Sequence, residues 1–249
     1  MKKMVKSQSI FLYSENGINN KQGYIDFVYN HGDAPRKIAV KRIHLQNKEQ
    51  IMIDTSIPYY PLVMHKTDAD NYPKFELPEG YSFAFFKEGD EAKWSEIQTA
   101  VGSFGSVETG IKVFNDSFVD GEILDAKERM IFVVAPDGEY IGTAALWDGD
   151  EFGKRLPRIH WVAVKDSHGG KGIAKAMLTR LFDLYNLLGF CGFIYLTTGT
   201  RNYPAVKIYE KFGFELYRGE RSLFKDLSDE EFVSRNVKAI ELLDKMLNR

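Results

Sequence analysis

The stretch of sequence that decides the fold is residues 158–174, which read RIHWVAVKDSHGGKGIA. Its first part, residues 158–164, is apolar apart from Arg158 and His160, as expected of a strand that is covered on both faces. The last residues turn through three glycines and enter a segment whose apolar positions recur every three or four residues. The stretch therefore predicts a buried strand, a glycine-rich turn and an amphipathic helix in direct succession.

The glycine turn, residues 169–172, is the first candidate binding site. Gly169, Gly170 and Gly172 tolerate positive φ angles, so consecutive backbone N–H groups can point at one anion at the start of the helix. A phosphate or pyrophosphate would bind there, although the same glycines also suit a plain tight turn. Two common nucleotide motifs do not fit. A dinucleotide fingerprint counted from Gly170 would need glycine where Lys175 stands, and a P-loop would need lysine directly after Gly172.

A second motif follows downstream, where residues 202–214 read NYPAVKIYEKFGF directly after a predicted strand at 193–197. Together the two motifs resemble the GNAT superfamily of acyl-CoA-dependent N-acyltransferases. The family signature is Val-x-Val in a strand, a glycine-rich loop entering a helix, and then Asn-x-x-Ala, Tyr and Gly-Phe. The positions that carry the resemblance are Val162, Val164, Gly169, Gly170, Lys171, Gly172, Ile173, Ala174, Asn202, Ala205, Tyr209, Gly213 and Phe214. The resemblance covers residues 80–226.

The resemblance implies an α/β (α+β) fold with a central mixed β-sheet flanked by helices. This GNAT-like sheet would be splayed open between the strands at 158–164 and 193–197. Acetyl-CoA, the implied co-substrate, would lie in that opening. Its pantetheine arm would bond to the backbone of Val162 and Val164 like an added strand, and its pyrophosphate would sit on residues 169–174.

The implied cofactor-binding residues are Val162, Val164, Gly169, Gly170, Lys171, Gly172, Ile173, Ala174 and Asn202. Gly169 stands where the family usually has Arg or Gln, so a side-chain contribution to phosphate binding is missing there. Lys165, Lys171 and Lys175 could replace its charge, or could be solvated surface lysines. Asn202 could contact the pantetheine, or could only cap the helix that follows it.

Tyr209 matches the general acid of the family, which protonates the departing thiolate. A phenol with a pKa of about 10 is protonated at pH 7 and is an acid comparable with a thiol. The alternative is that Tyr209 is only an amphipathic core residue on a short helix.

The catalytic base is left open by the sequence. His160 lies two residues before Val162, on the same face of a regular strand, and its usual pKa suits proton removal near neutral pH. A hydrogen-bonded core histidine is the alternative. Arg158 would share that face but cannot act as a base. Glu122, Glu139 and direct loss of the proton to water are further alternatives.

Patterning along the chain predicts three parts: a β-rich N-terminal segment at 1–56, a GNAT acetyltransferase domain at 57–226 and a C-terminal amphipathic helix at 227–249. In the first part, strands are predicted at 9–13, 24–29, 37–45 and 51–54. The second begins with a join at 57–61 and a proline-broken loop at 68–80. Two helices, at 90–101 and 107–118, would form the side from which the acceptor enters.

Composition excludes several other classes of protein. The chain has 249 residues, and its formal charge of -2 gives no general attraction to nucleic acid. No apolar run approaches the roughly 20 residues that span a bilayer, so neither a membrane nor a nucleic-acid partner is expected. The five histidines show no metal-ligand spacing, so no metal is expected either. The single cysteine, Cys191, lies near Phe190 and Phe193, which predicts a buried thiol and a cytoplasmic location.

The sequence thus predicts an N-acetyltransferase that moves an acetyl group from acetyl-CoA to a primary amine, with Tyr209 and His160 as candidate catalytic residues. A non-catalytic acyl-CoA-binding module is the alternative, and an interaction protein is a third class. Residues 1–55 hold nine Lys and Arg against five Asp and Glu, whereas the remainder holds 24 against 30. This acidic remainder favours a cationic small-molecule acceptor. The marginal size of the basic segment predicts that it packs on the transferase or on a second copy in a homodimer.

Overall fold

The computed structural model describes residues 57–118, 123–218 and 229–247, and two short strands nearer the N-terminus. These strands, β1 (Tyr24–Phe27) and β2 (Lys41–His44), pair antiparallel with Tyr24 opposite His44. Contacts divide the chain into two compact units, Met1–Gln50 and Ile51–Arg249. β1 and β2 fall within two of the predicted strands, whereas the strands predicted at 9–13 and 51–54 lie outside the described residues.

The larger unit combines one β-sheet with flanking helices. Its strands are β3 (Pro61–Lys66), β4 (Ser82–Phe85), β5 (Met130–Val134), β6 (Tyr140–Gly149), β7 (Leu156–Val164), β8 (Ile194–Gly199) and β9 (Glu215–Leu216). Its helices are α1 (Glu91–Ala100), α2 (Val107–Phe118), α3 (Ile123–Arg129), α4 (Ile173–Leu187), α5 (Tyr203–Lys211) and α6 (Asp229–Leu247). Helices α1, α2, α4, α5 and α6 lie where sequence periodicity predicts helices, and α3 is an addition.

Among the described strands the sheet order is β4-β5-β6-β7-β8-β3-β9, and the sheet is mixed. All neighbours are antiparallel except β7 and β8, which run parallel. These two strands pair at only two positions, Arg158 with Tyr195 and Ile159 with Leu196. From His160 onward β7 diverges from β8, so the predicted splayed sheet is confirmed.

Strand β7 carries a β-bulge just beyond that point. Thr143 of β6 lies opposite Ala163, but Ala145, two residues further along β6, lies opposite His160, so β7 has one residue more than β6 over this stretch. Trp161 adopts a φ of 50°, in the left-handed region that side-chain-bearing residues rarely enter. The bulge therefore reverses the alternation of side chains along β7.

The reversal corrects one prediction. His160 packs near Phe118 of α2, on the face covered by α1 and α2, whereas Val162 packs with the core under α4. The expectation that His160 and Val162 share a face is wrong, because that expectation assumed an unbroken alternation of two residues.

The core has a layer on each face of the sheet. On one face α4 buries Met177, Leu181 and Phe182, and the C-terminal helix α6 adds Ala239 and Leu243 to the same cluster. On the other face Trp94 of α1 and Phe114 and Phe118 of α2 pack on β5 and β6. Each helix thus presents its apolar stripe to the sheet, as the sequence periodicity requires. The sheet is held between the two layers and fixes the course of β7.

Three local predictions need correction. The join predicted at 57–61 leads directly into β3, which pairs with β8 in the interior of the sheet. Strand β7 is fully buried only at Ile159 and Ala163, and its other residues are partly exposed. Cys191 is exposed rather than buried, since the chain turns at Gly189 and Gly192 before β8 begins.

Candidate functional site

The divergence of β7 from β8 leaves a cavity of about 170 Å³, which we call the β7–β8 opening. Its walls come from β7, α4 and α5, and they are mainly apolar. The lining residues are Val162, Ala163, Val164, Ala174, Leu178, Ala205, Ile208 and Tyr209. Four sequence-predicted site residues, Val162, Val164, Ala174 and Tyr209, therefore meet here with Ala205 of the second motif. Ala163, Leu178 and Ile208 are additions. The apolar walls suit an alkyl chain better than a charged group.

Tyr209 supplies the phenol group of the opening. Helix α5 turns Val206 and Tyr209 inward, and Tyr209 is 8% exposed. Its ring lies edge-on to Phe214, with 6.1 Å between the centroids. Burial raises the pKa of Tyr209 to about 12, because the phenolate would lose its hydration. The Tyr209 side chain is therefore a protonated hydrogen-bond donor at neutral pH.

The glycine turn precedes α4 and has the geometry of an anion site. Gly170 and Gly172 adopt φ angles of 74° and 83°, and the first hydrogen bond of the helix runs from the Ala176 N–H to the Gly172 carbonyl oxygen at 3.1 Å. The N–H groups of residues 173–175 precede that bond and so have no acceptor within the helix. This set of donors at a helix N-terminus is suited to a phosphate group.

A small polar network borders the glycine turn. Lys171 Nζ donates to the Tyr81 hydroxyl at 3.0 Å, and that hydroxyl is 2.8 Å from His168 Nδ1. His168 is thus tied to the residue that precedes β4. Tyr81 was not recognised from the sequence, because no local pattern links it to a turn some 90 residues later.

The other two lysines near the turn also have neighbours. Lys165 Nζ pairs with Glu139 Oε1 at 2.7 Å, and Lys175 Nζ lies 4.8 Å from the ring centroid of Phe75. Glu139 is therefore engaged at the turn and lies on the phosphate side, which removes the reason for considering it as a base. The other carboxylate considered, Glu122, lies outside the described residues.

His160 lies on the opposite face of the sheet from Tyr209, beside α2. Arg158 Nη2 is 3.2 Å from His160 Nε2, a contact that fits an arginine donating to a neutral imidazole. Burial, and then the charge of Arg158, hold the pKa of His160 well below its usual value. The imidazole is thus neutral at pH 7, but its Nε2 lone pair is occupied by Arg158.

Arg158 belongs to a buried network at the point where β7 and β8 separate. Its guanidinium pairs with Glu151, and Tyr195 of β8 donates its hydroxyl to the same carboxylate. Glu151 is 8% exposed. Burial and the neighbouring Glu151 raise the pKa of Tyr195. Sequence reasoning missed Glu151, because it lies in the β6–β7 turn, where carboxylates are usually solvated.

Asn202 precedes α5 but makes no capping hydrogen bond through its side chain, and it is exposed. Thr200 instead ties the start of this segment to the chain before β3. The Tyr60 N–H donates to Thr200 Oγ1 at 2.9 Å, and Thr200 Oγ1 lies 2.6 Å from the Pro58 carbonyl oxygen. Asn202 does not line the β7–β8 opening, unlike Ala205 one turn later.

The described residues contain neither a metal-binding cluster nor a helix suited to cross a membrane. No group of three or more His, Cys, Asp or Glu side chains in these ranges is placed to hold a metal ion. Among the helices described, none has both the length and the apolar character needed to cross a membrane.

Comparison with known proteins agrees with this geometry. Residues 94–214 match the sequence model of the Acetyltransferase (GNAT) family, which is just under half of the chain. None of the curated proteins compared with the chain matches it. The match, the splayed sheet and the glycine turn together show that the chain contains a domain of the GNAT superfamily, a class of acyltransferases.

One solved structure shows the same fold, and a second is also similar. A GCN5-related N-acetyltransferase from Sphaerobacter thermophilus is 25% identical with a TM-score of 0.52, over 64% of this chain and 49% of that one. A GNAT-family acetyltransferase from Colwellia psychrerythraea is 15% identical with a TM-score of 0.49, over 64% of this chain and 54% of that one. The chain thus spans about half the length of these proteins, and the fold likeness rests on the first of them.

Proposed function

We propose that this protein transfers an acetyl group from acetyl-CoA to a primary amine of a small-molecule acceptor. The observation that carries the proposal is the β7–β8 opening, an apolar slot with the Tyr209 phenol in its wall and the glycine turn nearby. The slot suits the pantetheine arm, and the glycine turn suits the pyrophosphate. The free edge of β7 beyond Ile159 offers backbone groups to the amides of the arm, as a neighbouring strand would.

In the proposed reaction the neutral amine nitrogen attacks the thioester carbonyl carbon and forms the C–N bond. The tetrahedral intermediate then collapses, the C–S bond breaks, and the electron pair leaves on sulfur. With a pKa of about 12, Tyr209 is a weaker acid than a thiol, whose pKa is about 8.5. We therefore assign Tyr209 to hydrogen bonding of the developing thiolate, which is finally protonated by the proton that the amine releases.

The amine would approach from the face covered by α1 and α2, where His160 and Arg158 lie. His160 is the candidate base on this face, but Arg158 occupies its Nε2 lone pair. Base catalysis by His160 therefore requires the amine to displace that contact. Loss of the proton to water is the alternative, and a pH–rate profile separates the two.

The test is release of free thiol from acetyl-CoA in the presence of a panel of polyamines, aminoglycosides and lysine-like amines. The Tyr209→Phe variant should lower kcat by on the order of 100-fold, because it loses the hydrogen bond to the thiolate. Its dissociation constant for acetyl-CoA should be unchanged, since the ring and the opening are retained.

Two results would count against the proposal. A Tyr209→Phe variant with the full rate would show that the phenol has no part in the reaction. Tight binding of acetyl-CoA without turnover of any amine would favour the alternative, a non-catalytic acyl-CoA-binding module on the same fold.

A further inference from the structure

A second cavity lies on another side of α4, and we call it the α4 groove. It has a volume of about 700 Å³ and is bounded by α4, strand β4 and residues 74–77. None of the residues that line it also lines the β7–β8 opening. Its volume falls within the range of roughly 300–1,000 Å³ typical of small-molecule sites. The α4 groove is thus separate from the β7–β8 opening, although Tyr81, which lines the groove, also contacts Lys171 of the glycine turn.

The apolar part of the groove comes from the edge of the sheet. Phe83 and Phe85 of β4 and the nearby Leu77 line it, and all three are only partly buried. Among the described strands β4 pairs only with β5 and forms an edge of the sheet. Two partly exposed phenylalanine rings side by side can bind an aromatic or alkyl group by excluding water.

The polar part of the groove is dominated by Arg180. Its guanidinium carbon lies 5.4 Å from the centroid of the Phe85 ring. Its Nε is buried and has no hydrogen-bond partner, and Arg180 forms no salt bridge with any carboxylate of the described ranges. Because this buried N–H has no acceptor, a ligand that brought an anion to the guanidinium would be stabilised there.

The carboxylates nearest to Arg180 along the groove do not fill this role. Asp183 accepts hydrogen bonds from Lys74 Nζ at 2.5 Å and from the Tyr72 hydroxyl at 2.7 Å. Glu76 also lines the groove, but its side chain is exposed to solvent. Asp183 feels the charge of Arg180 through space, but its direct ion pair is with Lys74. Arg180 is therefore a cation of the groove that has no carboxylate of the described residues in direct contact.

We propose that the α4 groove binds a small amphipathic anion, an aryl or alkyl carboxylate. Its carboxylate pairs with Arg180, and its apolar body lies against Leu77, Phe83 and Phe85. This proposal does not depend on acetyl transfer.

The test uses 2-naphthoate as the probe and 2-naphthamide as its neutral match in shape. Calorimetric titration of the full chain should show the carboxylate binding at least 10-fold more tightly than the amide. Arg180→Gln should remove that preference, and Arg218→Gln, at an exposed arginine outside the groove, should retain it. Ser82→Asp, at an exposed residue lining the groove, should weaken binding of naphthoate and leave that of naphthamide unchanged.

Saturating acetyl-CoA should not change the affinity for naphthoate, because the two cavities share no lining residue. Equal binding of the two probes, or a preference that survives in both Arg180→Gln and Ser82→Asp, would overturn the proposal. Competition between naphthoate and acetyl-CoA would place the probe in the β7–β8 opening and would also overturn it.

Discussion

Burial acts on Tyr209 and His160 in opposite directions and leaves both side chains neutral. It raises the pKa of Tyr209 to about 12 and lowers the pKa of His160 well below its usual value. The cause is the same in both cases, since loss of hydration penalises the charged form, which is the phenolate for Tyr209 and the imidazolium for His160. Tyr209 is thus kept as a hydrogen-bond donor, and His160 is kept in the neutral form that can accept a proton.

The pH dependence of the rate tests the proposed role of His160. If His160 is the base, protonation of its imidazole adds an acid limb to kcat/KM, and that limb should lie well below pH 6.5. Replacing Arg158 with Met and Glu151 with Gln together removes the neighbouring cation without leaving a buried carboxylate unpaired. The acid limb should then move to higher pH, but it should stay below the usual pKa of histidine, because burial is the larger cause of the low pKa of His160.

The control for this experiment is Lys154→Met, which removes a positive charge from the exposed β6–β7 turn. Its acid limb should stay where that of the wild type lies. An acid limb that does not move in the double variant would remove His160 from the mechanism and leave water as the proton acceptor.

At the scale of elements, the packing of α1 against α2 depends on one glycine. A Cβ on Gly110 of α2 would lie 2.0 Å from Ser95 Oγ and 2.9 Å from Ser95 Cβ. Gly110→Ala should therefore lower the free energy of unfolding by about 1–3 kcal/mol through overpacking, even though Ala is the better helix former. Denaturation with urea measures this difference.

Gly105→Ala is the matched control, because a Cβ there would meet no atom within 4 Å. It should change the free energy of unfolding by no more than about 0.5 kcal/mol. If the two variants were equally stable, the close contact between Gly110 and Ser95 would not exist in solution.

The helices that cover the sheet could be predicted from the sequence, because each carries its own apolar period. Strand β3 could not be predicted in this way, since its hydrogen bonds go to β8, some 130 residues later. Pro61 at its start is also compatible with a linker between two elements. The sequence does not predict the β-bulge at Trp161 either. Residues 161–164 are apolar in succession, so the pattern does not show which of them faces α1 and which faces α4.

The candidate site also contains some residues that could be predicted from the sequence and some that could not. The positions proposed to bind the pantetheine arm and the pyrophosphate belong to motifs that are continuous in sequence, as does Tyr209, so they could be predicted. The network of Arg158, Glu151 and Tyr195 does not, because its members come from a strand, a turn and a second strand that only the fold brings together.

At the scale of the whole molecule, the proposed site lies entirely within the larger of the two units, Ile51–Arg249. A chain that starts at Ile51 should therefore fold and bind acetyl-CoA with an affinity within about twofold of the full chain, a free-energy difference of about 0.4 kcal/mol. The smaller unit carries a net positive charge, with nine Lys and Arg against four Asp and Glu, so its removal is a test of partner binding rather than of catalysis. A loss of acetyl-CoA binding on truncation would show that residues 1–50 contribute to the site.

Binding of acetyl-CoA in the β7–β8 opening is the central claim, and isothermal titration of the full chain tests it most directly. Ala205→Leu places a larger side chain in the opening, whereas Lys207→Leu adds the same residue to an exposed position of the same helix. We expect the wild type and Lys207→Leu to bind alike, and Ala205→Leu to bind at least about 10-fold more weakly, or about 1.4 kcal/mol. Equal affinity of all three proteins, or no binding of acetyl-CoA by the wild type, would contradict the claim.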